Sequence, residues 1–235
     1  MKRFFVIAVL VVSLAAFLVA DVYVKQQTKT PAFMGQPEKL VIQEQWLGKN
    51  KIATVSADTT MILDLNTKKV FMIQHQAKTY LEMPLPLDIT KVMPDQMATM
   101  MKGMMDSMTV TVKANGKTKK VLNWNTTGYD VSMNMMGMDI KMVFWATNNP
   151  GFDWKSYSAL FTEVYKAQMR VGEKFVTEFK KIDGYPVEME TQVMGISILS
   201  SVIEINANKT PGAGVYSVPA GYTKKEKLSA EDLQK

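Results

Sequence analysis

From Glu38 onward the chain is a succession of short runs rich in Val, Ile, Thr and aromatic residues, separated by turn residues. That texture predicts β-strands, at 38–46, 51–56, 59–64, 69–75 and 78–82. The turn Leu65-Asn66-Thr67-Lys68 joins two of them as a hairpin. Alternation is strictest further on, where Tyr129, Val131, Met133 and Met135 take one face of a strand and polar residues take the other. After Met136-Gly137 it resumes with Met138, Ile140, Met142 and Phe144. The pattern Gly128-Tyr129-x-Val131-x-Met133 recurs as Gly184-Tyr185-x-Val187-x-Met189, again ending in a Met-Gly turn at Met194-Gly195. The second copy is two residues longer, which preserves the side chains that face the core. A single antiparallel sheet built from hairpins is predicted.

Two helices interrupt this pattern. Asp153 is placed to cap one that carries Tyr157, Leu160, Phe161, Val164 and Tyr165 as an apolar stripe. The other lies between Pro94 and Met108. On a helix, Met97, Met100, Met101, Met104, Met105 and Met108 fall within about 140° of arc, with Thr99, Lys102 and Asp106 opposite.

The first twenty residues follow a different rule. Met1-Lys2-Arg3 precedes an apolar stretch, Phe4 to Val12, and small residues then lead to Ala20. This is the order of a secretory signal, with cleavage expected after Ala20; an uncleaved anchor is the alternative, because Phe4 to Ala20 approaches a membrane span in length. A periplasmic or otherwise exported address follows from either. The expected organisation is a signal peptide at 1–20, a linker at 21–37 marked by Pro31, Gly35 and Pro37, one β domain at 38–228 and a tail at 229–235.

Composition narrows the chemistry. There is no Cys, which removes thiol chemistry, disulfides and a lipid-modified Cys anchor. The net charge of +6 falls to about +4 once Lys2 and Arg3 leave with the signal, and no basic run is long enough for a nucleic-acid groove. His75 is the single histidine, in a hairpin-end setting, and Glu188 and Glu190 sit on the polar side of a strand. No nucleophile turn, phosphate loop, His-Glu-x-x-His or Cys-x-x-Cys is present, so no catalytic residue, cofactor or His- or Cys-based metal ligand set is predicted and an enzyme is not expected.

The Met-faced helix remains open to three readings. It packs as an ordinary core stripe, or its unbranched thioethers adapt to acyl chains, or its sulfurs join Met133, Met135, Met136 and Met138 to bind Cu(I) or Ag(I). The second reading names Met97, Met100, Met101, Met104 and Met108 as ligand-binding residues. Trp124 and Trp145 are expected at the pocket rim, because each ends a strand segment where an indole can touch both apolar surface and water.

Met61 to Ile73, with Lys78-Thr-Tyr80-Leu-Glu-Met83, resembles the early hairpins of LolA-like exported proteins and of a bacterial family, without an assigned role, that is grouped near them. The ending Gly214-Val-Tyr-Ser-Val-Pro219-Ala-Gly221-Tyr222 is similar too. The resemblance implies a mainly β fold with a few helices (α+β): a curved antiparallel half-barrel, LolA-like, with helices on its concave side and an apolar cavity between. It implies a lipid or lipoprotein as partner, with membrane contact only through the signal segment or the cargo. A structural protein that docks an envelope partner is the remaining alternative.

Overall fold

The computed structural model describes residues 21–33, 35–135, 137–169 and 173–228. The expected signal peptide and the tail at 229–235 lie outside the described residues, as do Met136 and the side chains of Val164 and Tyr165. In chain order the elements are β1 (Asp21–Thr30), β2 (Lys39–Leu47), β3 (Lys51–Val55), β4 (Thr59–Asp64), β5 (Lys69–Gln74), β6 (Thr79–Pro84), α1 (Asp95–Ser107), β7 (Thr109–Val121), β8 (Trp124–Met135), β9 (Met138–Thr147), α2 (Trp154–Met169), α3 (Glu173–Phe179), β10 (Tyr185–Val193), β11 (Ile196–Lys209) and β12 (Thr223–Lys225). The strands form one curved sheet of 12, in the order β12-β6-β5-β4-β3-β2-β1-β11-β10-β9-β8-β7. All neighbours are antiparallel except β12, which runs parallel to β6.

The register explains the core. Val22 on β1 stands opposite Leu47, and the row continues through Ile52, Leu63, Val70 and Met83. All six side chains are buried in one cluster. This is the inner face, on which α2 packs with Leu160 and Phe161. On the other face, Tyr23, Trp46, Ala53, Ile62 and Ile73 form a second cluster, covered by Val215, Tyr216, Val218 and Tyr222 from the C-terminal segment. A third cluster joins Tyr129, Val131, Met142 and Phe144 of β8 and β9 to Phe179 of α3. Both faces of the β1–β6 half are therefore buried, one by a helix and one by irregular chain.

Residues 21–30, expected as linker, form a strand in the interior of the sheet. β1 pairs with β2 on one side and β11 on the other, and Val22, Tyr23 and Val24 are buried. The run Lys25 to Lys29 reads as linker because its polar side chains hide the strand alternation, yet its backbone is satisfied by ladders on both edges. β7 and α3 are further elements that the hydrophobic pattern leaves unmarked. From Lys113 to Lys120 the β7 sequence is polar apart from Ala114 and Gly116, as suits the edge strand it is.

The repeated Gly-Tyr pair holds its glycines for two different reasons. A Cβ at Gly128 would stand 2.5 Å from the Asn115 side chain, whereas Gly184 has φ +125° and lies against the Thr147 carbonyl, 2.9 Å from where a Cβ would be. The Tyr129 hydroxyl also reaches the backbone before the second copy, donating to the Asp183 carbonyl at 3.2 Å.

Candidate functional site: a cavity between the sheet and helices α2 and α3

A cavity of about 860 Å³ separates the inner face of the sheet from α2 and α3. Its sheet side comes from β1–β4, β9, β10 and β11, and its helical side from Trp154, Phe161, Val176 and Phe179. The helices stand there because their apolar stripes need a partner. Phe161 leans on Tyr185 with ring centres 6.0 Å apart, and Phe179 meets Phe144 edge-on at 5.8 Å. Asp153 precedes α2, and its carboxyl is held low chiefly by a hydrogen bond from the Ser156 hydroxyl, as an acidic side chain at a helix start should be. The Glu178 carboxylate on α3 accepts the Val112 backbone N–H at 2.7 Å, which fixes the helix to edge strand β7. Its carboxyl is lowered first by Lys181 and then by that N–H.

The lining is mainly apolar, through Ile52, Met61, Leu63, Val187, Met189 and Val202. A smaller polar patch, Gln26, Gln45 and Thr54, lies on three adjacent strands, with Ser200 nearby on β11. Among the described residues, charged lining is confined to Lys180, Asp183 and Glu188. Lys180 and Asp183 are exposed, while Glu188 is ion-paired with Lys119, which also reaches Glu190 at 3.3 Å. The lining holds no histidine or cysteine, and no group of acidic, histidine or cysteine side chains that could hold a metal ion occurs among the described residues. The chemistry available is burial of apolar surface with a few neutral hydrogen-bonding groups.

None of the residues expected to bind ligand lines this cavity. Met97 and Met101 pack on the inner-face core cluster, Met100 is 58% exposed, and Met104 and Met108 are half-buried. The helix has no fully buried residue, so its stripe lies partly in solvent. Trp124 and Trp145 are buried within that same core cluster. The Lys119 ammonium covers the Trp145 ring at 4.2 Å from its centre, and Phe144, the adjacent β9 residue, is the one that lines the cavity. His75 is bridged by Thr60 at 2.8 Å and Tyr222 at 3.2 Å, contacts that tie the C-terminal segment to the sheet. The cavity residues were hidden in sequence because they come from seven strands and two helices. A local signal exists only on β2 and β3, where Gln45 and Thr54 take core-facing positions; Gln26 lies in the run Lys25 to Lys29, which shows no alternation.

Among the described residues no helix is long and apolar enough to cross a membrane. No curated protein matches the chain. Among solved structures, PNGF-II is 13% identical with a TM-score of 0.42, covering 91% of this chain and 32% of that one, so the chain spans about a third of its length. An outer membrane lipoprotein-sorting protein domain from Vibrio parahaemolyticus is 8% identical with a TM-score of 0.32, covering 80% of this chain and 85% of that one. Neither likeness is close enough to carry an argument. The family model described as a domain of unknown function, DUF4412, matches residues 33–222, most of the sheet and all three helices, and the chain belongs to that family.

Proposed function

We propose that this protein is an exported, non-catalytic carrier that holds an acyl chain, from a lipid or a lipidated partner, between its sheet and helices α2 and α3. The observation that carries the reading is the cavity of about 860 Å³, whose lining is apolar over most of its extent. A fully packed core leaves few voids larger than a water molecule, and this volume lies in the range of small-molecule sites. The order of charged, apolar and small residues over 1–20 supports export. The resemblance of the sequence at Met61–Met83 and Gly214–Tyr222 to LolA-like proteins supports the same reading, with the sheet as a half-barrel and α2 and α3 on its concave side.

Soft-metal binding is less favoured. Met97 and Met101 pack on the cluster that contains Met83 and Met93, whereas Met133, Met142 and Met189 belong to the cluster around Phe144. Although α1 adjoins β8, these thioethers are divided between two hydrophobic clusters, where packing accounts for them without a soft metal.

Native mass spectrometry of the full chain, purified from its own envelope fraction under gentle conditions, tests the carrier reading. Adducts with the masses of lipids are expected, and organic extraction should release species with long acyl chains. An adduct-free protein that also fails to take up a fluorescent acyl probe would overturn it.

A further inference from the structure

We infer that the cargo presents an uncharged polar group, an ester, amide or alcohol, to Gln26, Gln45 and Thr54. This rests on the carrier reading above and adds what the cavity selects. The register isolates these residues. On the inner face the row from Val22 to Met83 is apolar on all six strands. The next row runs Val24, Gln45, Thr54, Met61, Met72 and Leu81, and polar side chains replace apolar ones only on β2 and β3. Gln26, one inner-face position beyond Val24, extends the patch onto β1 and stands opposite Gln43. All three polar residues line the cavity and are half-buried.

Their chemistry is specific. Two carboxamides and one hydroxyl offer both donors and acceptors without net charge. The Gln26 and Gln45 amides have no side-chain hydrogen-bond partner among the described residues, which leaves their donors for a ligand carbonyl or hydroxyl. A carboxylate or phosphate would need a cation, because a buried anion without one is strongly disfavoured. Among the described residues the lining offers only the exposed Lys180: no arginine is present, Asp183 is acidic, and Glu188 is already paired with Lys119. A polar group set among apolar walls fixes the orientation of a chain whose affinity comes from methylenes. The cavity therefore discriminates by head group as well as by chain.

The test uses the full chain loaded with a dansyl-labelled acyl amide and displaced at pH 8 by monopalmitoylglycerol or by palmitate, which share one chain. Monopalmitoylglycerol is expected to displace the probe at a concentration at least tenfold lower, a preference that the double variant Gln26→Leu with Gln45→Leu abolishes while both ligands still bind. Gln45→Lys, which adds a cation at the patch, should shift the preference towards palmitate. Equal or better displacement by palmitate from the unaltered chain overturns the inference but leaves the carrier reading standing, as does a preference that survives in the double variant. Failure of the chain to bind the probe at all overturns both.

Discussion

The Lys209 ammonium stands 3.3 Å from the centre of the Tyr23 ring, which itself tilts against Trp46 with ring centres 4.8 Å apart. The stack joins the end of β11 to β1 and β2 on the face opposite the cavity. Burial pushes the Tyr23 hydroxyl well above the ordinary tyrosine range, and the Glu44 carboxylate beside it adds to that shift. Tyr23 therefore works as a neutral aromatic anchor.

Tyr23→Ala removes a ring that is only 1% exposed, and a loss of about 3–5 kcal/mol is expected for a truncation of this kind. Lys209→Met keeps the aliphatic stem and loses the cation, at a cost of about 1 kcal/mol. Urea unfolding checks both through the midpoint at constant slope. A Lys209→Met midpoint equal to that of the unaltered chain would show that the cation contributes nothing.

Met61 lines the cavity from β4 and is only half-buried. Met61→Trp should fill space that the cargo needs, weakening binding of an acyl probe at least tenfold while shifting unfolding by about 1 kcal/mol or less, since the ring enters an existing void. Unchanged probe affinity would place the cargo elsewhere.

Along α1, neighbouring methionines should respond differently. Met100→Lys, at an exposed position, is expected to stay within about 0.5 kcal/mol of the unaltered chain. Met101→Lys places an ammonium against the core cluster and should cost about 2 kcal/mol or more. Neither position lines the cavity, so Met100→Lys should bind the acyl probe normally. Loss of binding in that variant would return α1 to the site.

Asp64 governs an acid-sensitive contribution. Desolvation raises its carboxyl, but this is outweighed by Lys51, ion-paired at 3.0 Å, and by the backbone N–H groups of Asn66 and Thr67, so the net shift is downward. A carboxyl lower in the folded than in the unfolded chain stabilises fully above its unfolded value of about 3.9, and that stability is lost as pH falls through the folded value. Asp64→Asn should therefore destabilise at pH 7, by a margin that shrinks as pH falls from about 3.9 towards about 2. A difference in unfolding midpoint that stays constant between those pH values would rule out this linkage.

Local sequence determined the hairpins. The strand at Thr59–Asp64 has the bounds its run of Thr, Met, Ile and Leu predicted, and the Asp64-to-Lys69 turn joins its neighbour as expected. Alternation at Tyr129–Met135 and Met138–Phe144 fixed one face of β8 and β9, because a period of two leaves no choice once half the residues are apolar. The Met-rich segment and the run after Asp153 are helices for the corresponding reason at a period of 3.6. Sequence could not show that β1 enters the middle of the sheet. Lys25 to Lys29 carry no alternation, and the strand is held by ladders to segments as distant as Lys209. Nor could it place the cavity beneath α2 and α3 instead of under α1. A hydrophobic stripe states only that a helix needs an apolar partner; which face of which strand provides one depends on register across seven strands. Gln26, Gln45 and Thr54 looked like three unrelated polar residues until that register set them side by side.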